Sequence, residues 1–221
     1  FYRLSRLQLL VELRRAAVTF DEQNDGIDGW DEDNSQDYAV TEALLGCRFQ
    51  PGNSKILAEF KVGYQTIECS DDEDKNGNVY NDDPALIAEG NLSYFFSDQT
   101  TLSIFGKRSR NTSATAGNSD DVSSSFISTH WGIGLTQKLL RKFTATIDFE
   151  RSVEDYLDVA GANDDKVLTS QTFSGGLAYD INAWLDAGLT ASYKDKTASS
   201  SQYNDAEYTV TRYGFYVKVT Y

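Results

Sequence analysis

The chain has 221 residues, enough for one large domain, and its 34 acidic against 20 basic residues give a net charge of -14; phosphates must be met by a basic surface, so nucleic acid is excluded as a partner. No stretch approaches the roughly 18 consecutive apolar residues of a membrane helix, but a membrane barrel stays open, because its strands show lipid only at every second residue. Two prolines, no methionine, 13 tyrosines and 12 phenylalanines describe a strand-rich chain.

From Arg6 onward, Leu7, Leu9, Val11 and Leu13 share one face and Gln8, Glu12 and Arg14 the other, the period of two that marks a strand with a greasy and a wet side. The acidic run DEQNDGIDGWDEDNSQD that follows is too polar and Gly-rich to bury. A second strand over Tyr38 to Phe49 reverses at Pro51-Gly52-Asn53-Ser54 into a third, where Ile56, Ala58, Phe60, Val62 and Tyr64 alternate with Glu59, Lys61, Gly63 and Gln65. The cycle repeats through the acidic loop SDDEDKNGNVYNDD, a strand over Leu86 to Tyr94, a turn at Ser97-Asp98-Gln99-Thr100 and an ascent through Leu102 and Ile104. The loop NTSATAGNSDD then leads to Ile127 to Leu135, a turn at Lys138 to Lys142, and Phe143 to Phe149. After VEDYLDVAGANDD come Phe173 to Tyr179, a turn at Asp180-Ile181-Asn182, Leu185 to Tyr193, the loop DKTASSSQYND and the closing strand YTVTRYGFYVKVTY, Tyr208 to Tyr221. That makes ten strands.

Phe49, Tyr94, Leu135, Tyr179 and Tyr221 close successive descents at intervals of 41 to 45 residues, one up-and-down hairpin per repeat. Short turns on one side and long polar loops on the other predict a transmembrane antiparallel up-and-down β-barrel over residues 1–221, with turns periplasmic and loops outside. A soluble sandwich has no reason to sort loop length by side. The opening Phe1-Tyr2-Arg3-Leu4-Ser5 reads as the end of a descent plus its turn, so two readings stand: the C-terminal part of a larger barrel whose N-terminal strands are missing, or a short lead-in to a ten-stranded barrel. No signal peptide is visible, and a chain without an initiator methionine fits a processed or truncated one.

Three stretches, SSSFISTHWGIGLTQKLLRKFTATIDFERSVEDY (Ser123 to Tyr156), GLAYDINAWLDAGLTASYKDK (Gly176 to Lys196) and the YTVTRYGFYVKVTY ending, together with the hairpin repeat, resemble the putative β-barrel porin family of outer-membrane proteins associated with exopolysaccharide export. The resemblance covers most of the chain and brings no catalytic motif. It implies a Gram-negative outer-membrane location, a passive conduit for a polymer or polar solutes, lipopolysaccharide as a lipid neighbour and periplasmic export components as partners; a fold alone does not fix a function. The alternative is a structural or adhesive barrel with a plugged lumen and cation-binding acidic loops.

Alternation turns Glu12, Arg14, Glu42, Arg48, Glu59, Lys61, Glu89, Lys107, Asp148, Glu150, Lys194, Arg212 and Lys218 inward. Both signs occur, which suits either a hydrated channel for a polar solute or a small lumen filled by paired side chains. His130 is the sole histidine and points inward with Ser128, so a Ser-His-Asp arrangement would have to use it; a pore-lining or structural group is the expectation, and no enzyme. Arg15 and Arg151 fall at the upper end of the greasy face, with Arg108 and Arg110 beside them in the same class. There a guanidinium meets lipopolysaccharide phosphate or snorkels at the interface.

One loop carries a metal pattern. Asp72, Asp74, Asn76, Asn78 and Asp83, with Gly77 between them, match the spacing of a calcium loop that wraps one hard cation; Asp21, Gln23, Asp25, Gly26 and Glu32 give a weaker echo. Solvated acidic loops are the competing reading, and no other cofactor is expected. Cys47, placed opposite Leu57 or Ala58, is expected roughly 35 Å from Cys69 at strand rise, beyond disulfide reach.

Overall fold

Period-two alternation carries the chain into a single sheet. The computed structural model describes residues 7–18, 38–52, 55–69, 84–112, 125–140, 142–157, 166–182, 184–199 and 206–219. Within them lie β1 (Leu7–Val18), β2 (Tyr38–Phe49), β3 (Ile56–Cys69), β4 (Ala85–Ser97), β5 (Thr100–Thr112), β6 (Ser125–Leu139), β7 (Phe143–Leu157), β8 (Val167–Asn182), β9 (Leu185–Ala198) and β10 (Tyr208–Val219). Each pairs antiparallel with its neighbours in sequence, in the order β1 to β10, the up-and-down order in which consecutive strands lie side by side. β1 and β10 form the two margins, and no ladder among the described residues joins them.

The short turns are built from their own residues. Asp98 and Gln99 link Ser97 to Thr100, and the Ser97 hydroxyl accepts the Gln99 N–H at 3.2 Å. Leu140 leaves β6 with a φ of 50°, the left-handed conformation that lets the chain reverse before Phe143. Asn182 Oδ1 accepts the Trp184 N–H at 3.0 Å, an Asx turn.

The two faces of the sheet are sorted by polarity in the sense opposite to a water-soluble protein. Leu9, Ile147, Tyr213 and Phe215 are 79, 67, 83 and 70% exposed, and Phe60, Phe173, Leu189 and Val219 are exposed with them. The charged set lies on the other face. Apolar side chains left bare on this scale suit a hydrocarbon solvent rather than water.

The inward side is concave. Two glycines permit the close approach of β2 and β3 on this side: an ideal Cβ on Gly63 would collide with the Ala43 carbonyl, and one on Gly46 with the Phe60 carbonyl, so a side chain at either position would push β2 and β3 apart. The ladder is also inclined. Along the row Lys61, Glu89, Lys107, His130, Ser152, Ser170, Lys196 and Tyr208, Lys61 sits near the middle of the apolar run Ile56 to Tyr64. Tyr208 at the other end lies beyond the run that begins at Tyr213. The drift of about one residue per strand corresponds to a tilt of roughly 35°, the lower end of the range that lets a sheet close into a barrel.

Candidate functional site

The inward face divides into two sectors of different chemistry. On β1 to β4 every charge has a partner. Arg14 bridges Glu12 at 2.7 Å, Glu42 at 3.2 Å and Glu89 at 2.9 Å, while Lys61 bridges Glu12 at 2.8 Å, Glu59 at 3.0 Å and Glu89 at 2.8 Å. Arg48 closes on Glu59 at 2.7 Å. Alternation sets all seven on one face; the curl brings Arg14 within reach of a carboxylate three strands away, about 14 Å in a flat sheet. Lys61 is only 8% exposed, so the ammonium is satisfied by carboxylates in place of water.

Above this network, toward the long loops, the sector is dry. Leu44, Ile67 and Ile87 are buried on the inward face. Gln65 straps β3 to β5: its Nε2 donates to the Arg110 carbonyl at 2.8 Å and its Oε1 accepts the Arg110 N–H at 2.9 Å. The β4–β5 ladder begins only at Ala88 and Arg108 although β4 starts at Ala85, so the Gln65 amide satisfies backbone groups of Arg110 that the first residues of β4 do not meet. The Arg110 side chain turns to the Ser125 hydroxyl at 3.1 Å.

The wall from β5 to β10 is lined mainly by hydroxyls and glycines. Thr146, Thr172, Ser174, Thr190 and Ser192 take inward positions, and Gly132, Gly176, Gly188 and Gly214 lie among them. Neighbouring groups lie flat across several of these glycines: a Cβ on Gly132 would meet the Phe105 ring at 2.6 Å, and one on Gly188 the Tyr216 ring at 2.5 Å. The charges of this wall stand mostly apart. Lys196 bridges Glu154 at 2.9 Å, and His130 Nε2 lies 3.5 Å from Glu150, its ring edge-on to Phe105 with centroids 5.1 Å apart.

The ladder gathers the expected pore-lining residues closely. Lys61, Glu89, Lys107 and His130 share one inward row. Glu59 and Glu150 lie on the next row toward the short turns, and Asp148 and Arg212 on the one after. Lys218 stands apart near the turns, opposite Asp186. His130 lies beside Glu150 and Phe105 and faces Ser152 across the β6–β7 ladder.

Arg15 and Arg151 are exposed on the outward face, Arg151 directly opposite Trp131 and just above Phe149. Arg110 corrects the expectation made for it: it is 3% exposed, drawn in by Ser125 rather than held toward lipid. Cys47 pairs with Phe60, not with Leu57 or Ala58, because the ladder opens at Phe49 and Ala58 and the intervening turn is longer than assumed; Cys47 is a free thiol. The calcium-loop positions Asp72, Asp74, Asn76, Asn78 and Asp83, and the weaker set from Asp21 to Glu32, lie outside the described residues.

A family model described as Putative beta-barrel porin 2 matches residues 6–221. No curated protein and no solved structure matches the chain.

Proposed function

Because the chain belongs to the Putative beta-barrel porin 2 family, we propose that it works as a passive conduit for polar solutes across a Gram-negative outer membrane, with an exported polysaccharide as the solute class. Membership of a porin family supports transport and an outer-membrane location, and gives no ground for an enzyme. The observation that carries the finer reading is the β5 to β10 wall, where short hydroxyl side chains and glycines offer hydrogen bonds without bulk. A saccharide presents the matching surface, hydroxyls around a ring with apolar faces. Lipopolysaccharide phosphate at Arg15 and Arg151, and periplasmic export components at the turn end, are the partners that fit this role.

A second reading has its own support. The ion-paired sector and the buried Leu44, Ile67 and Ile87 fill part of the inward side, which favours a structural or adhesive barrel with a plugged lumen. Single-channel recording in planar bilayers separates the two. Large, stable conductance steps are expected of the conduit; their absence from correctly folded protein, judged by heat-modifiable gel migration, would establish the plugged barrel instead.

A further inference from the structure

The chain's net charge of -14 suggests a cation pathway, but its charges are segregated. The five long connections, 19–37, 70–83, 113–124, 158–165 and 200–205, hold 20 of the 34 acidic residues and one of the 20 basic ones. The strands and short turns are therefore basic on balance, and the net charge of the whole molecule does not set the charge that a solute meets on the wall.

Most of the inward charges are already cancelled. The carboxylates of β1 to β4 are held by Arg14, Arg48 and Lys61, and Lys196 is held by Glu154. Lys194 and Arg212 are different. They occupy diagonal inward positions on β9 and β10, since Lys194 faces Val210 while Arg212 faces Ser192. Diagonal cross-strand neighbours lie about 7–8 Å apart. Their direct cross-strand neighbours are hydroxyls, a valine and an aromatic ring: Thr172 faces Lys194 across β8, Val210 faces it across β10 and Ser192 faces Arg212, and the Lys194 ammonium lies 5.6 Å from the Tyr208 ring centroid. Glu150 shares the Lys194 row two strands away, beyond Thr172, where it lies 3.5 Å from His130; Asp148 shares the Arg212 row three strands away; neither cation has an ion pair among the described residues. Lys107 joins them at nearly the same depth, because the rows climb by about one residue per strand and the three cations step down the rows to match.

Two like charges set side by side repel unless an anion screens them. A planar guanidinium, a neighbouring ammonium and flanking hydroxyl donors make a receptor for a carboxylate. We infer that Lys194 and Arg212, flanked by Thr172 and Ser192, form an anion subsite on the conduit wall whose ligand is a saccharide bearing carboxylate groups. The inference rests on the conduit reading and adds the charge of the solute to it.

The experiment uses the full chain in planar bilayers. Reversal potential is measured under a potassium chloride gradient, and block is titrated with oligogalacturonate, a carboxylated saccharide, against a neutral dextrin of equal length. K194Q/R212Q is expected to shift the reversal potential toward cations and to lose the oligogalacturonate block, with the dextrin response unchanged. R108Q removes a charge from the outward face and is expected to leave both readouts as in the wild type. An unaltered reversal potential and block in K194Q/R212Q, or an equal shift in R108Q, would overturn the subsite while the conduit stands. A wild-type protein with no conductance would remove the conduit itself.

Discussion

Lys61→Met tests whether the ion-paired sector is a dry brace or a wet wall. The substitution keeps the length of the side chain and removes the ammonium shared by Glu12, Glu59 and Glu89 at 2.8, 3.0 and 2.8 Å. Arg14 and Arg48 remain, so four carboxylates are left with two cations. Breaking a fully buried pair costs about 3–5 kcal/mol, and breaking an exposed one below about 1 kcal/mol. The Lys61 side chain is 11% exposed and its partners between 24 and 36%, so an intermediate loss of about 2 kcal/mol is expected after discounting for solvent. With a denaturant slope of about 2.5 kcal/mol/M, the urea midpoint in detergent micelles should fall by roughly 0.8 M. Glu89→Gln alone should also destabilise, and the double variant should cost about 1–2 kcal/mol less than the two single losses together, because the pair is in direct contact. A midpoint for Lys61→Met within roughly 0.2 M of the wild type, or strict additivity with Glu89→Gln, would refute the brace and leave water as the partner of these charges.

Gly63→Val should prevent folding of the β2–β3 hairpin or cost more than about 3 kcal/mol, since its Cβ would meet the Ala43 backbone and backbone cannot yield; Gly90→Ala, whose nearest neighbour is the Phe60 ring at 3.4 Å, is the tolerated control, both scored by heat-modifiable migration. Gln65→Ala removes two hydrogen bonds to the Arg110 backbone and should cost about 2–4 kcal/mol in the same urea assay, because buried backbone groups lose their partners. Ile147→Lys puts a charge at the centre of an outward apolar run and should cost about 2–4 kcal/mol of folding into lipid vesicles, whereas Thr146→Lys, one residue away and inward, should fold normally. Equal penalties for the two lysines would contradict the assignment of faces.

The strands and their faces were legible because a strand repeats every two residues and a barrel must show lipid on one side only. Ile56 to Tyr64 against Glu59 to Gln65 announces both facts without any knowledge of neighbours. Partnership was not legible. Alternation puts Arg14 and Glu89 on the same face, but only the curl of the sheet brings them together. Register failed by two or three residues at Cys47, since the length of the Pro51-Gly52 turn decides where pairing starts and the residues flanking it do not. The dry inward cluster was missed, although a signal was present: Leu44-Leu45, Thr66-Ile67 and Leu86-Ile87 interrupt the polar phase, and an apolar residue on the wet side of a strand marks a place where water is excluded. Arg110 escaped for a related reason, because the strap from Gln65 re-aims the end of β5 and parity alone cannot report it.

The two margins decide what this sheet needs in order to live in a membrane. Leu9, Val11 and Leu13 on β1 and Tyr213, Phe215 and Val217 on β10 are among the most exposed apolar side chains of the chain, so both margins carry the lipid-facing pattern to their edges. Their outer N–H and C=O groups have no ladder partner among the described strands. In hydrocarbon each such group costs several kcal/mol, and a row of them along a strand of 12 residues would exceed the whole stability of an ordinary domain. Water could satisfy these groups, but water would then oppose the apolar side chains beside them. The conflict disappears only when β1 and β10 are paired, with each other or with further strands, and the tilt of roughly 35° already present in the ladder is the stagger that such closure demands. The apolar belt and the inclined register thus point to the same closed architecture that membership of a β-barrel porin family assigns to the chain.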